Sequence, residues 1–145
     1  MQAPTLPDLA QRLDRIDPNA KALWGKMNLA QMLVHCRMPI ENALGEMQVK
    51  PVDNFLTRSI LFPLLMKLPW PKGKAATHQE FDVVKLNLPV RTVAEEAAAL
   101  AGKLNVVMNG GFQPKPHAIF GPLSMEKWIG LQRKHLDHHF RQFGV

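Results

Sequence analysis

The chain has 145 residues, 46% of them hydrophobic and 21% charged, enough to bury one sizeable core and too few to expect two; disorder is excluded, and a single domain is expected. A net charge of +6, from 18 basic and 12 acidic residues, would suit nucleic acid only if the basic residues clustered. The densest basic stretch, Lys67, Lys72 and Lys74, is followed closely by Glu80 and Asp82, and no nucleic-acid motif is present, so we expect a solvated surface and no nucleic-acid partner.

Helical periodicity dominates, and turn residues divide the chain into five helical segments. Leu6, Leu9, Leu13 and Ile16 recur every three or four residues, which predicts a first helix over about Leu6 to Ile16, stopped by Asp17-Pro18. Asn28 is an N-cap with Gln31 three residues later, opening a second helix with Met32, Cys36, Ile40, Ala43 and Met47 on one face. Pro39 lies inside it and should kink the helix or tighten one turn, since it lacks a backbone donor. Asp53 is read as the cap of a third segment rich in apolar residues from Phe55 to Leu65, with Pro63 as a break and Pro69, Pro71 and Gly73 opening a long connection. Phe81 to Leu88 can be extended, although no strand is needed.

Thr92 and Glu95 form a capping box for the fourth helix, ended by Asn109-Gly110-Gly111. The stretch GGFQPKPHAIFGPL, with three prolines and three glycines, is a shaped loop, and Ser124 caps a last helix reaching about Phe143. Long successive helices with short or looped connections imply an all-α antiparallel bundle able to build a site in its interior.

Cys36 is the only cysteine, so no internal disulfide can form, and eight methionines fit a reducing, cytoplasmic setting. The opening MQAPTLPDLAQRLD lacks the basic segment and apolar run of a secretory signal. The greasiest run, Ile60 to Leu68, is interrupted by Pro63 and Lys67 and falls short of the roughly 20 apolar residues that cross a bilayer, so no membrane partner is expected.

The strongest chemical signal is KHLDHHFRQFG, in which His135 and His139 stand four residues apart on a helix. Residues at that spacing share a face, so two imidazoles can converge on one ion; the alternative is a pair of partly exposed histidines on a terminal helix. His138 is turned about 100° from His139 and about 60° from His135, which suits the edge of the site or the surface better than coordination. A third ligand must come from another helix, and His35 is the candidate because it lies beside the apolar face of Met32 and Cys36. Cys36 itself is turned by about 100° and reads as a small buried apolar residue. His117, in the proline-rich loop, can reach a site mouth or cap a neighbouring turn. Trp128, one heptad before His135, can wall the site or fill the core. His78 is expected at the surface. Glu41, Glu126 and Asp137 read as surface charges, one of which can orient a ligand imidazole, Asp137 least readily because it lies about 160° from His139 on the same helix.

Together, Trp24-Gly25-Lys26-Met27-Asn28, Gln31-Met32 followed by His35, and HAIFGPLSMEKW leading into LQRKHLDHHFRQFG resemble the DinB-like superfamily, in particular the uncharacterised branch of small bacterial proteins near its YfiT-type members. The resemblance spans nearly the whole chain in order and is most specific at its two ends; the sequence departs from the branch pattern in carrying His117-Ala118 where His-Pro is usual. It implies a four-helix bundle, here with an additional short N-terminal helix and long connecting loops. It also implies one divalent ion, zinc or nickel, held by His35, His135 and His139. Relatives in that superfamily include metal-dependent hydrolases and enzymes that activate a low-molecular-weight thiol for S-transfer or isomerisation. The expected function is therefore a metal-dependent enzyme acting on a small-molecule substrate, with a thiol as a candidate cosubstrate and with His117, His138 and Trp128 near the pocket; the alternative is a binding bundle without turnover. The apolar segment Phe55 to Trp70 and the habit of the resembled proteins point to a homodimer.

Overall fold

The computed structural model describes residues 3–73 and 77–145; Lys74, part of the basic stretch above, lies outside them. Five α-helices follow in order, α1 (Leu6–Leu13), α2 (Leu29–Leu44), α3 (Phe62–Lys67), α4 (Val93–Asn109) and α5 (Met125–Gln142), and no strand occurs among the described residues. The all-helical expectation holds.

The helix starts follow their caps. Asn28 and Gln31 reciprocate across the first turn of α2, as Thr92 and Glu95 do on α4, each pair satisfying backbone donors that the first turn leaves free. Ser124 caps α5, and Thr5 with Asp8 makes a further box on α1. Helix α1 ends three residues before the expected Ile16, because Asp14 closes it and Arg15 and Ile16 tighten onto Arg12 and Leu13. Helix α2 runs through Pro39 without interruption, although proline offers no N–H to the His35 carbonyl one turn earlier.

Two local expectations are corrected. Asp53 does not cap the third segment: Asn54 does, its side chain accepting from the Thr57 N–H at 3.1 Å, while Asp53 pairs with Arg58. The helical run there includes a wide turn over Thr57–Leu61, where the Phe62 N–H reaches back to the Thr57 carbonyl just before Pro63, whose missing donor such a turn accommodates. Phe81 to Leu88 is not extended; a 3-10 turn at Gln79–Phe81 leads into turns closed by Leu86 N–H to Asp82 and Leu88 N–H to Val83.

The main core is built by α1, α2, α4 and α5, through Leu9, Met32, Leu33, Cys36, Ile40, Leu100, Leu104, Trp128, Leu136 and Phe140. Each such side chain contributes roughly 1.5–3 kcal/mol of transfer free energy, an upper estimate because the unfolded chain is already partly collapsed. The short N-terminal helix is thus part of this core rather than an addition to it, and α3 is the element that stands outside. Phe62, Phe120 and Leu131 seat α3 on α5, and Lys134 of α5 donates to the Leu65, Met66 and Leu68 carbonyls at the end of α3. A separate cluster, Val34, Met38, Phe81, Val83 and Ala118, binds the long connection to α2. Buried Glu96 on α4 meets Arg37 of α2 at 2.6 Å; burial pushes its carboxyl up, but the hydrogen bonds from Arg91 and the Arg37 charge outweigh this and leave it below its ordinary value. No helix among the described residues is long and apolar enough to cross a membrane.

Candidate metal centre

Helices α2 and α5 face each other beside the long connection, and His35, His135 and His139 meet there. Their candidate ligand nitrogens all lie within 4.8 Å of one another. The Nε2 atoms of His35 and His135 are 3.0 Å apart, and each pair of rings has its centroids 4.7 to 5.0 Å apart. Zinc–imidazole bonds of about 2.0–2.1 Å at tetrahedral angles would set nitrogens about 3.3 Å apart. The His35–His135 separation is close to that spacing, and the remaining pairs lie within 4.8 Å.

The chain also sets the tautomers. His35 Nδ1 donates to the Phe81 carbonyl at 3.0 Å, which leaves its Nε2 lone pair facing the cluster. His139 Nδ1 donates to Gln142 Oε1 at 2.9 Å, which does the same for the second ring. Gln142 is held in turn by donating to the Trp24 carbonyl at 2.6 Å. Gly25 makes this approach possible: its φ is +81°, and a β-carbon there would come within 2.5 Å of Gln142 Nε2. Oxygen acceptors behind ligand imidazoles are the usual device for fixing ring orientation at metal sites.

Burial keeps these rings neutral. Desolvation lowers His35, although the Phe81 carbonyl and Asp82 oppose it. Desolvation and then the neighbouring histidines push His139 down to about 3 and His135 well below the ordinary 6.5. Neutral imidazole is the ligand form, so at neutral pH no ring has to lose a cationic proton before it can offer a lone pair.

The cluster borders a cavity of about 630 Å³. His117 lines it; its Nδ1 accepts the Ile119 and Phe120 N–H groups at 3.1 and 3.3 Å, so its proton sits on Nε2, and burial pushes it down to about 4. Both sequence alternatives for this residue therefore apply, the turn cap and the site mouth. Its loop is closed by reciprocal 2.8 Å bonds between His117 and Gly121, whose φ of +67° and contact with the Asp53–Arg58 pair leave no room for a β-carbon. His138 also lines the cavity, its ring 5.9 Å from Trp24 and 5.5 Å from Trp70.

Other placements differ from the sequence reading. Trp128 does not wall the pocket; it is 1% exposed in the main core, edge-on to Phe112. Trp24 and Trp70 are the tryptophans of the cavity, and nothing in their local periodicity marks them because both stand in connections. His78 is buried rather than superficial, bonding the Lys50 carbonyl through Nε2 at 3.1 Å and the Glu80 N–H through Nδ1. Cys36 is a buried apolar residue, as expected. Neither Glu41 nor Asp137 hydrogen-bonds and so orients one of the three histidines: they pair with Arg37 and with Arg12 and Arg141, respectively. That role falls to the Phe81 carbonyl and to Gln142, which stands three residues after His139 on the same face of α5.

Fold and site together define an all-helical chain with three converging, neutral histidines beside a cavity. No family model matches it, and neither a curated protein nor a solved structure gives a match.

Proposed function

We propose that His35, His135 and His139 hold one divalent ion, zinc or nickel, with a coordination position left open toward the cavity, and that the chain is a metal-dependent enzyme of the hydrolase or thiol-transferase type. The observation that carries this reading is the convergence of three neutral imidazoles, two with Nδ1 engaged by an oxygen acceptor. Two ring nitrogens 3.0 Å apart need a proton or a cation between them, and a site of three imidazoles accepts either. When bound, such an ion supplies Lewis acidity that activates water or a low-molecular-weight thiol at neutral pH.

The chain's own residues would do the rest. His117 offers its Nε2–H to a polar group of a small-molecule substrate, and Trp24, Trp70 and Phe120 supply apolar wall for the remainder. The placement of one histidine on α2 and a His-x-x-x-His pair on the last helix supports the DinB-like reading, including its antiparallel bundle. Elemental analysis of untagged protein after supply of each metal tests the site, with up to one ion per chain expected. Failure of every ion to bind with all three histidines intact overturns it. A screen of the loaded protein with thiol cosubstrates then separates turnover from binding alone.

The homodimer belongs to the same reading. Phe55, Leu56, Ile60, Leu61, Leu64 and Leu68 are all exposed on and beside α3, and Arg58 on that segment is paired with Asp53, so two such faces can meet without an unpaired Arg58 charge. Light scattering at high micromolar concentration should give twice the 16.3 kDa chain mass; a monomer there removes the dimer.

A further inference from the structure

Gln132 of α5 lines the cavity and is 2% exposed. Its Oε1 is sealed from solvent and has no hydrogen-bond partner among the described residues. A buried amide oxygen left unpaired is costly, and few native chains keep one without a use for it. One turn further along the same face stands His135. Helical side chains lean toward the N-terminus, which directs the His135 side chain toward the turn that carries Gln132.

His135 is also the one histidine of the cluster without an oxygen acceptor. Its only hydrogen bond among the described residues runs from Nε2 to His35 Nε2 at 3.0 Å. His35 keeps its proton on Nδ1 for the Phe81 carbonyl, so the proton in that contact belongs to His135 Nε2. Coordination through His135 Nε2 requires that proton to leave to water, and the neutral ring regains one on Nδ1 with no change of charge. A new donor then appears on the ring one turn from the orphaned acceptor, to which it is not bonded in the metal-free geometry.

We propose that Gln132 is the positioning residue for His135, its Oε1 accepting an Nδ1–H bond that forms only when His135 Nε2 coordinates a divalent ion. This rests on the three-histidine reading above. It gives each ligand ring its own oxygen partner: Phe81 for His35, Gln142 for His139 and Gln132 for His135.

The test compares zinc affinity, by chelator competition, for the wild type and for Gln132→Leu, Gln132→Met and Gln132→Glu, together with the melting temperature of each metal-free protein. The apolar variants should bind zinc about 10- to 100-fold more weakly, the usual cost of losing such a partner. Their metal-free melting temperature should stay level or rise, because an unpaired buried oxygen is gone. Gln132→Glu should bind at least as tightly as wild type. Nitrogen-edited NMR of the wild type should place the His135 proton on Nε2 without zinc and on Nδ1 with it. Wild-type affinity in both apolar variants, or a proton on Nδ1 before zinc is added, overturns the inference; should the leucine variant fail to fold, the methionine variant decides. A wild type that takes up neither zinc nor any other divalent ion overturns the three-histidine reading and this inference with it, a result distinguished by the wild-type titrations alone.

Discussion

Replacing His139 with alanine is expected to abolish retention of the ion against a competing chelator while leaving helix content unchanged. Structural zinc sites bind with an apparent 10–16 kcal/mol shared among their ligands, so losing one of three costs about 3 to 5 kcal/mol, or roughly 10²- to 10⁴-fold in affinity. Helix content should survive because the core of Leu9, Leu33, Ile40, Leu136 and Phe140 is assembled without the ion. Replacing His138 should cost far less, since its ring lies toward Trp24 and Trp70 and is not among the three converging histidines. Chelator competition and circular dichroism on the same samples measure both quantities. Loss of the ion from the His138 variant, with retention by the His139 variant, would show that the register of the site on α5 is wrongly assigned.

The metal-free protein should also lose stability steeply in mild acid, well before the usual carboxylate range. Folding lowers His117 to about 4 and His139 to about 3, and lowers His35, His135 and His138 as well, in every case chiefly by desolvation. A lowered folded pKa means that the unfolded chain binds more protons. The stability is therefore fully present above the unfolded value of about 6.5 and is lost as pH falls toward the folded values. By pH 4 His117 and His139 would each have withdrawn on the order of 3 kcal/mol, comparable together with the whole stability of a small domain. Glu96, also lowered, acts in the same direction below its ordinary 4.5. Urea unfolding at a series of pH values from 7.5 to 4 checks this; a midpoint that stays level down to pH 4.5 would mean that the histidines are open to water rather than buried.

Most of the helical framework was legible in the sequence because its signals are local. The capping boxes at Asn28 and Thr92, the cap at Ser124 and the stop at Asn109-Gly110 each depend on residues within a turn of one another, and each appears where the sequence places it. The pairing of His135 with His139 is likewise a property of one helix. The near misses are local competitions: Asp53 and Asn54 both qualify as a cap, and only Arg58 decides which one is drawn away.

By itself, then, the sequence determined an all-helical chain, its helix starts and a histidine pair on one face of the last helix, since a 3.6-residue period and a capping side chain need no information from elsewhere in the chain. Only the tertiary structure decided that His35 stands 3.0 Å from His135 across 100 positions, and that the Phe81 carbonyl and Gln142 fix the outer nitrogens of two rings. It likewise decided that α1 rather than α3 completes the core, and that Trp24 and Trp70 rather than Trp128 face the cavity. These are contacts between segments whose relative placement depends on how the whole core packs, and no periodicity within a single segment encodes them.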